Sequence, residues 1–217
     1  MVDIFDEVDE ELRAERAQRL LQRYAGLIIA VALLIVGGAA GWQAWRWWQA
    51  RQDMAAAQRY VTAMTLMQSP AAAGNAQALT GDFDALAQTA PEGYRTLARL
   101  QAAALKAEHG DLRGALGLWN DVASDGSADP LLRDLATLLW CQHQIDTADP
   151  GLLAARLKAL AEPGNVWRPL AQEQLALLDL HQGKTEAAKA ALNKLAQDVT
   201  APNGVRERAA ALLGRLG

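Results

Sequence analysis

The sequence predicts an all-α protein: one transmembrane helix followed by helical hairpins stacked as an α-solenoid. Three observations carry this. Residues 25–45 form an uncharged stretch long enough to cross a bilayer, with aromatic residues at both ends. Beyond residue 50 the chain is rich in Ala and Leu, with few β-branched or aromatic residues and no strand-like alternation. Glycines and prolines punctuate that region at helix-length intervals. About 170 residues follow the apolar stretch, enough for one ordinary domain.

Residues 1–23 are expected to form a cytoplasmic juxtamembrane tail. Residues 1–24 carry four Arg against seven Asp/Glu, and the acids come first. Phe5, Val8 and Leu12 recur at helical spacing, and Arg16, Arg19 and Arg23 continue the stripe. Acids at the start and arginines at the end suit the helix dipole. The tail reads either as a solvated helix or as a docking helix for a cytosolic partner. Its acidic half would be repelled by an anionic leaflet.

Residues 24–48 are the expected membrane span. The run 25–45 has 21 residues with no charge and a single amide, Gln43. At 1.5 Å per residue it reaches roughly 31 Å, the thickness of a hydrocarbon core. Tyr24 marks one interface. Trp42, Trp45, Trp47 and Trp48, four of the chain's seven tryptophans, mark the other. Gly38-Ala39-Ala40 would pass as a signal-peptide cleavage site. A long acid-rich leader and a tryptophan belt that cleavage would waste favour an uncleaved anchor. Four arginines precede the span (Arg13, Arg16, Arg19, Arg23) and three follow it (Arg46, Arg51, Arg59), which favours a cytoplasmic N-terminus and a C-terminal domain outside. Gly37, Ala40, Gly41 and Ala44 fall at i, i+3, i+4, i+7. This small-residue stripe is a candidate for docking a partner's helix within the membrane.

Residues 49–217 are expected to form the soluble domain. The first helix should continue beyond Trp48, with Met54, Val61, Met64 and Met67 as its apolar face, and stop at Ser69-Pro70. Further breaks are read at Gly81-Asp82, Pro91, Gly110-Asp111, Asp129-Pro130, Asp149-Pro150, Pro163-Gly164, Gly183-Lys184 and Pro202-Asn203-Gly204. The two Asp-Pro pairs read as N-cap followed by the first helical residue. Gly110-Asp111 with Ala115 and Trp119 matches Gly183-Lys184 with Ala188 and Leu192. The offset of 73 residues is near twice a repeat of about 34. Each glycine would end a first helix in a left-handed cap, and each alanine would let the second helix cross closely. Asp146–Asp149 stands at the intervening turn, without the glycine. The pattern resembles tetratricopeptide repeats (TPRs). It departs from them at the aromatic position of the first helix, here Lys106 and Asp179.

Other classes lack support. The net charge of −4 and the absence of a basic face argue against nucleic-acid binding. The single cysteine, Cys141, sits in an apolar run and reads as a buried thiol. His109 and His181 sit just before turn glycines, where a helix C-terminus accounts for them. No phosphate loop, nucleophile elbow, zinc spacing or dinucleotide fingerprint is present. The expectation is a non-enzyme with no cofactor, metal site or small-molecule substrate.

The charged tail, a glycine-containing apolar helix ending Gly41-Trp42-Gln43-Ala44-Trp45, and the degenerate repeats together resemble the YfgM-like family of ancillary translocon subunits. Pro91-Glu92-Gly93-Tyr94 followed by Leu97-Ala98-Arg99-Leu100-Gln101-Ala102-Ala103 is similar to that family's repeat core. The resemblance implies a periplasmic repeat domain tethered to the bacterial inner membrane. Its implied partners are the SecY channel complex and membrane-anchored periplasmic chaperones. It also implies a protein-binding face on the first helix of each hairpin: Leu97, Leu100 and Ala104, then Leu170, Glu173 and Leu177. A related repeat domain belongs to a periplasmic cell-division coordinator. The other reading is a membrane-anchored regulator whose tail sequesters a soluble factor.

Overall fold

A computed structural model of the chain describes the backbone of residues 4–69 and 75–216, and side chains from residue 24 onward except at residues 28, 70–74 and 217. The tail stripe of Phe5, Val8, Leu12 and the arginines lies outside the described side chains, as does Pro70. Nine helices are described and no strand is present among the described residues. They are α1 (Ile4–Met67), α2 (Ala76–Thr89), α3 (Glu92–Glu108), α4 (Leu112–Ser124), α5 (Pro130–His143), α6 (Pro150–Leu160), α7 (Arg168–His181), α8 (Thr185–Gln197) and α9 (Asn203–Leu216).

The chain divides into two compact units, Met1–Gln52 and Asp53–Gly217. The first is helical from Ile4 and contains the apolar run, whose described large side chains are exposed. Tyr24–Met67 is the one stretch among the described residues long and apolar enough to cross a membrane, with a mean hydropathy of 2.2 in an 18-residue window.

In the second unit each helix from α2 onward packs against the next. Beyond neighbours, α5 touches α7 and α7 touches α9. Contacts between successive and alternate helices are the signature of a stacked solenoid. Four apolar clusters fill it in sequence. Alanine makes the close packing possible: Ala98, Ala102, Ala103, Ala115, Ala136, Ala171, Ala188 and Ala209 are fully buried. Small side chains let helices approach closely, and large residues such as Phe83, Trp119 and Leu192 fill the grooves between them.

The hairpin turns follow the expected chemistry. Gly110 and Gly183 have φ of +87° and +73°. Asp111 N–H reaches Lys106 O at 2.8 Å and Gly110 N–H reaches Ala107 O at 3.2 Å. Lys184 N–H reaches Asp179 O at 2.8 Å and Gly183 N–H reaches Leu180 O at 2.9 Å. Both are Schellman caps, in which the two residues after the helix satisfy its last carbonyls. Asp129 and Asp149 cap α5 and α6 by accepting from Leu131 N–H and Leu152 N–H, each at 2.8 Å, with Pro130 and Pro150 opening the helices. Asp111 caps α4 through Gly114 N–H.

Two expectations need correction. Gly81-Asp82 is no break: both lie inside α2, where Gly81 is exposed and costs only propensity. The buried face of α1 after residue 53 is Ala56 and Ala63, with Tyr60, Met64 and Met67 packed alongside, whereas Met54 and Val61 are exposed. Tyr60 meets the edge of Phe83 at 5.7 Å and the Tyr94 ring at 6.1 Å.

Candidate functional site

Helices α3, α5 and α7 are the first helices of successive hairpins, and the 73-residue offset that relates α3 to α7 relates α5 to α9. One face of α7 opens into a groove of about 440 Å³. Leu170, Glu173 and Leu177 line it from α7, Gln142 from α5, and Arg208, Leu212 and Arg215 from α9. Three of the expected contact residues therefore share one cavity. Leu170 is partly buried and packs against the cores on both sides of α7.

The floor of this groove is polar. Glu173 is 4% exposed, and both its carboxylate oxygens accept from Arg208, at 2.7 Å from Nε and 2.6 Å from Nη2. This bidentate pair raises the Arg208 pKa further, chiefly through the hydrogen bonds to Glu173. Glu173 is thus a buried, engaged group and not an open contact. The same offset places Leu100 where Glu173 stands and Leu135 where Arg208 stands. There Leu100 is buried in the core with Leu135 against it. One half of the repeat array closes this position with an apolar pair and the other with an ion pair. On α3, Leu97 and Ala104 are half-buried and Leu100 belongs to the core, so these three do not form a second groove of that kind.

In the first unit, Trp42, Trp45, Trp47 and Trp48 are each at least half exposed, and Tyr24 nearly so. Trp45 and Trp48 lie 5.5 Å apart, and the Arg51 guanidinium sits 4.0 Å over the Trp47 ring. Such a cluster offers an apolar body with polar edges, as interfacial aromatics do. A Cβ added at Gly37 or Gly41 would meet nothing within 4 Å, and Ala40 and Ala44 are exposed, so the stripe is open.

A polar clasp that helical spacing does not reveal fastens each hairpin. Arg99 Nη1 on α3 meets Asp125 after α4 at 3.2 Å, and Arg168 Nη2 on α7 meets Asp198 after α8 at 3.2 Å. Between them, Asn165 Nδ2 after α6 donates to Asp134 on α5 at 2.8 Å. Asp125 and Asp198 also accept from the hydroxyls of Ser127 and Thr200 two residues on, each at 2.6 Å. Those hydroxyls are the first cause of both carboxyl pKa values lying below the usual range. The signal in the sequence is the 73-residue match of Asp125-Gly126-Ser127-Ala128 with Asp198-Val199-Thr200-Ala201.

Cys141 and the three histidines have local contacts that account for them. Cys141 is buried, and desolvation pushes its thiol up to about 11. His109 Nδ1 lies 2.7 Å from Leu105 O, and His143 Nδ1 lies 2.9 Å from Leu139 O with its ring 4.5 Å from Trp119. His181 instead faces Asp146 of the neighbouring turn at 3.2 Å. Among the described residues, no three His, Cys, Asp or Glu side chains converge as metal ligands would.

The chain matches the tetratricopeptide repeat-like domain family over residues 18–200. Comparison with curated proteins and with solved structures gives no match.

Proposed function

From the chain's membership of the tetratricopeptide repeat-like domain family, we propose that it is a membrane-tethered, non-catalytic scaffold that binds other proteins through the first-helix face of its repeats. The observation that carries this is the groove in which Leu170, Glu173 and Leu177 meet α9. It combines apolar walls with an ordered ion pair and offers no catalytic constellation. A partner's extended or helical segment would place an apolar side chain between Leu170 and Leu177, with Arg215 at the rim.

In this reading residues 1–23 are cytoplasmic, residues 24–48 cross the bacterial inner membrane, and residues 49–217 lie in the periplasm. Trp42, Trp45, Trp47 and Trp48 sit at the outer interface, and Tyr24 at the inner one. Gly37, Ala40, Gly41 and Ala44 dock a partner's membrane helix, since close backbone approach replaces the hydrophobic drive that lipid cannot supply. Resemblance to the YfgM-like family supports the SecY complex and membrane-anchored periplasmic chaperones as partners.

Mild-detergent purification of the full chain with mass spectrometry of co-purifying proteins tests the assignment. Translocon subunits or envelope chaperones should be recovered, and Gly41→Leu should deplete them. Recovery of a cytosolic factor instead, lost on deleting residues 2–20, would assign the function to the tail.

A further inference from the structure

Helix α7 carries a second groove on its other side. Gln172, Leu175, Asp179 and Gln182 lie about half a turn around the helix from Leu170, Glu173 and Leu177. They form the floor of a cavity of about 600 Å³ between α6 and α8. It is larger than the first-helix groove and is walled by second helices.

The sequence explains why it is open. Ala191 stands on the α8 wall and is exposed. Seventy-three residues earlier the corresponding residue is Leu118, which packs against two core clusters and does not line the groove there. Ala154 on α6 is likewise too short to reach across. Leu175 is left half-buried at the bottom.

The rim is cationic. Arg168 is engaged by Asp198, and Lys184 stands 3.8 Å from Asp179. Lys158 on α6 and Lys194 on α8 are exposed and hold no ion pair among the described residues. The corresponding positions of the first half have other chemistry: Ala85 for Lys158, Asp121 for Lys194, Asp111 for Lys184. The first half has a groove of about 570 Å³ at the corresponding place, lined among others by Gly81, Asp84, Lys106, His109 and Asp111, but its lysine is held by Asp84 at 2.8 Å. Two unengaged lysines on opposite walls are the feature particular to the second half.

We propose that this groove is a second docking surface, for an amphipathic segment bearing acidic side chains from a partner protein. One apolar side chain of the segment rests on Leu175 in the space Ala191 leaves. Its carboxylates meet Lys158 and Lys194 from opposite walls. Leu175 in the floor between two unengaged cations favours a peptide over a bare anion, which would gain nothing from the leucine.

The test uses the full chain in detergent micelles. Fluorescence anisotropy would follow a labelled 14-residue helical peptide with leucine at i, i+3, i+4, i+7 and glutamate on its flanks. The same peptide with lysine for glutamate is the control. The acidic peptide should bind and the lysine peptide should not. Lys158→Glu with Lys194→Glu should weaken binding about tenfold or more, and Ala191→Leu should do the same by filling the space. Lys189→Glu, on the α8 surface away from the groove, should change nothing. Equal binding of the two peptides, or unchanged binding in the charge-reversed variant, would overturn the proposal. So would self-association of the chain that the charge reversal abolishes, which would assign the groove to a second copy. Lys158 and Lys194 are solvent-exposed, so their reversal leaves the core intact, as a matching thermal melt would verify.

Discussion

Glu173 and Arg208 carry the sharpest residue-level expectation. A buried carboxylate gains from a bidentate partner, but Arg208 is itself 54% exposed at the side chain, which screens the pair. Glu173→Ala should destabilise the second unit by about 1–3 kcal/mol in denaturant melts. Glu173→Leu with Arg208→Leu should recover most of that loss, because Leu100 and Leu135 already fill the corresponding position. Cys141 gives a pH expectation. Its thiol is raised to about 11 in the fold from an ordinary value of 9.0, so the folded chain holds a proton that the unfolded chain releases. Stability from this group is full below pH 9 and falls as pH rises from 9 to about 11. Native Cys141 should therefore resist alkylation at pH 8 and react at once in denaturant. Rapid native modification would contradict its burial.

At the scale of elements, the two Schellman glycines are the test of the repeat. A Cβ at Gly110 or Gly183 would meet nothing within 4 Å, so alanine there costs only the strain of positive φ. Each Gly→Ala change should lower stability by about 1 kcal/mol, while Gly81→Ala inside α2 should raise it by a few tenths to about 1 kcal/mol. A calorimetric Tm series reads both signs. The contrast also shows what the sequence made legible. Positive-φ glycines, Asp-Pro caps and the Ala–Trp/Leu spacing were readable because each reports a local backbone constraint. Gly81-Asp82 reads as a turn yet lies inside α2, because an exposed helical glycine costs only about 1 kcal/mol of propensity, which the packing of α2 outweighs. On α1 Met64 and Met67 pack on the core as their spacing implies, whereas Met54 and Val61 do not, because the core selects Ala56 and Ala63, whose small apolar side chains give a weaker pattern. The clasps Arg99–Asp125, Asp134–Asn165 and Arg168–Asp198 join residues 26 to 31 apart, beyond the reach of helical periodicity. Among the expected contact residues, Leu170 and Leu177 line a groove, whereas Leu100 belongs to the core. Leucine spacing alone cannot separate those roles.

At the scale of the whole molecule, the tether and the scaffold make separate expectations. A periplasm-active reporter fused after Gly217 should be active, and a cytosol-only reporter there silent; the reverse would place the repeat domain on the cytoplasmic side and remove envelope partners from the account. The scaffold itself is tested most directly by a photocrosslinking amino acid at Leu177, in the full chain in intact membranes, with Glu186 on the exposed surface of α8 as the reference position. Discrete adducts with a defined protein should form at Leu177 and not at Glu186, and Leu170→Arg should abolish them. Adducts of equal yield at both positions, or none at Leu177 above background, would contradict a binding role for the first-helix groove.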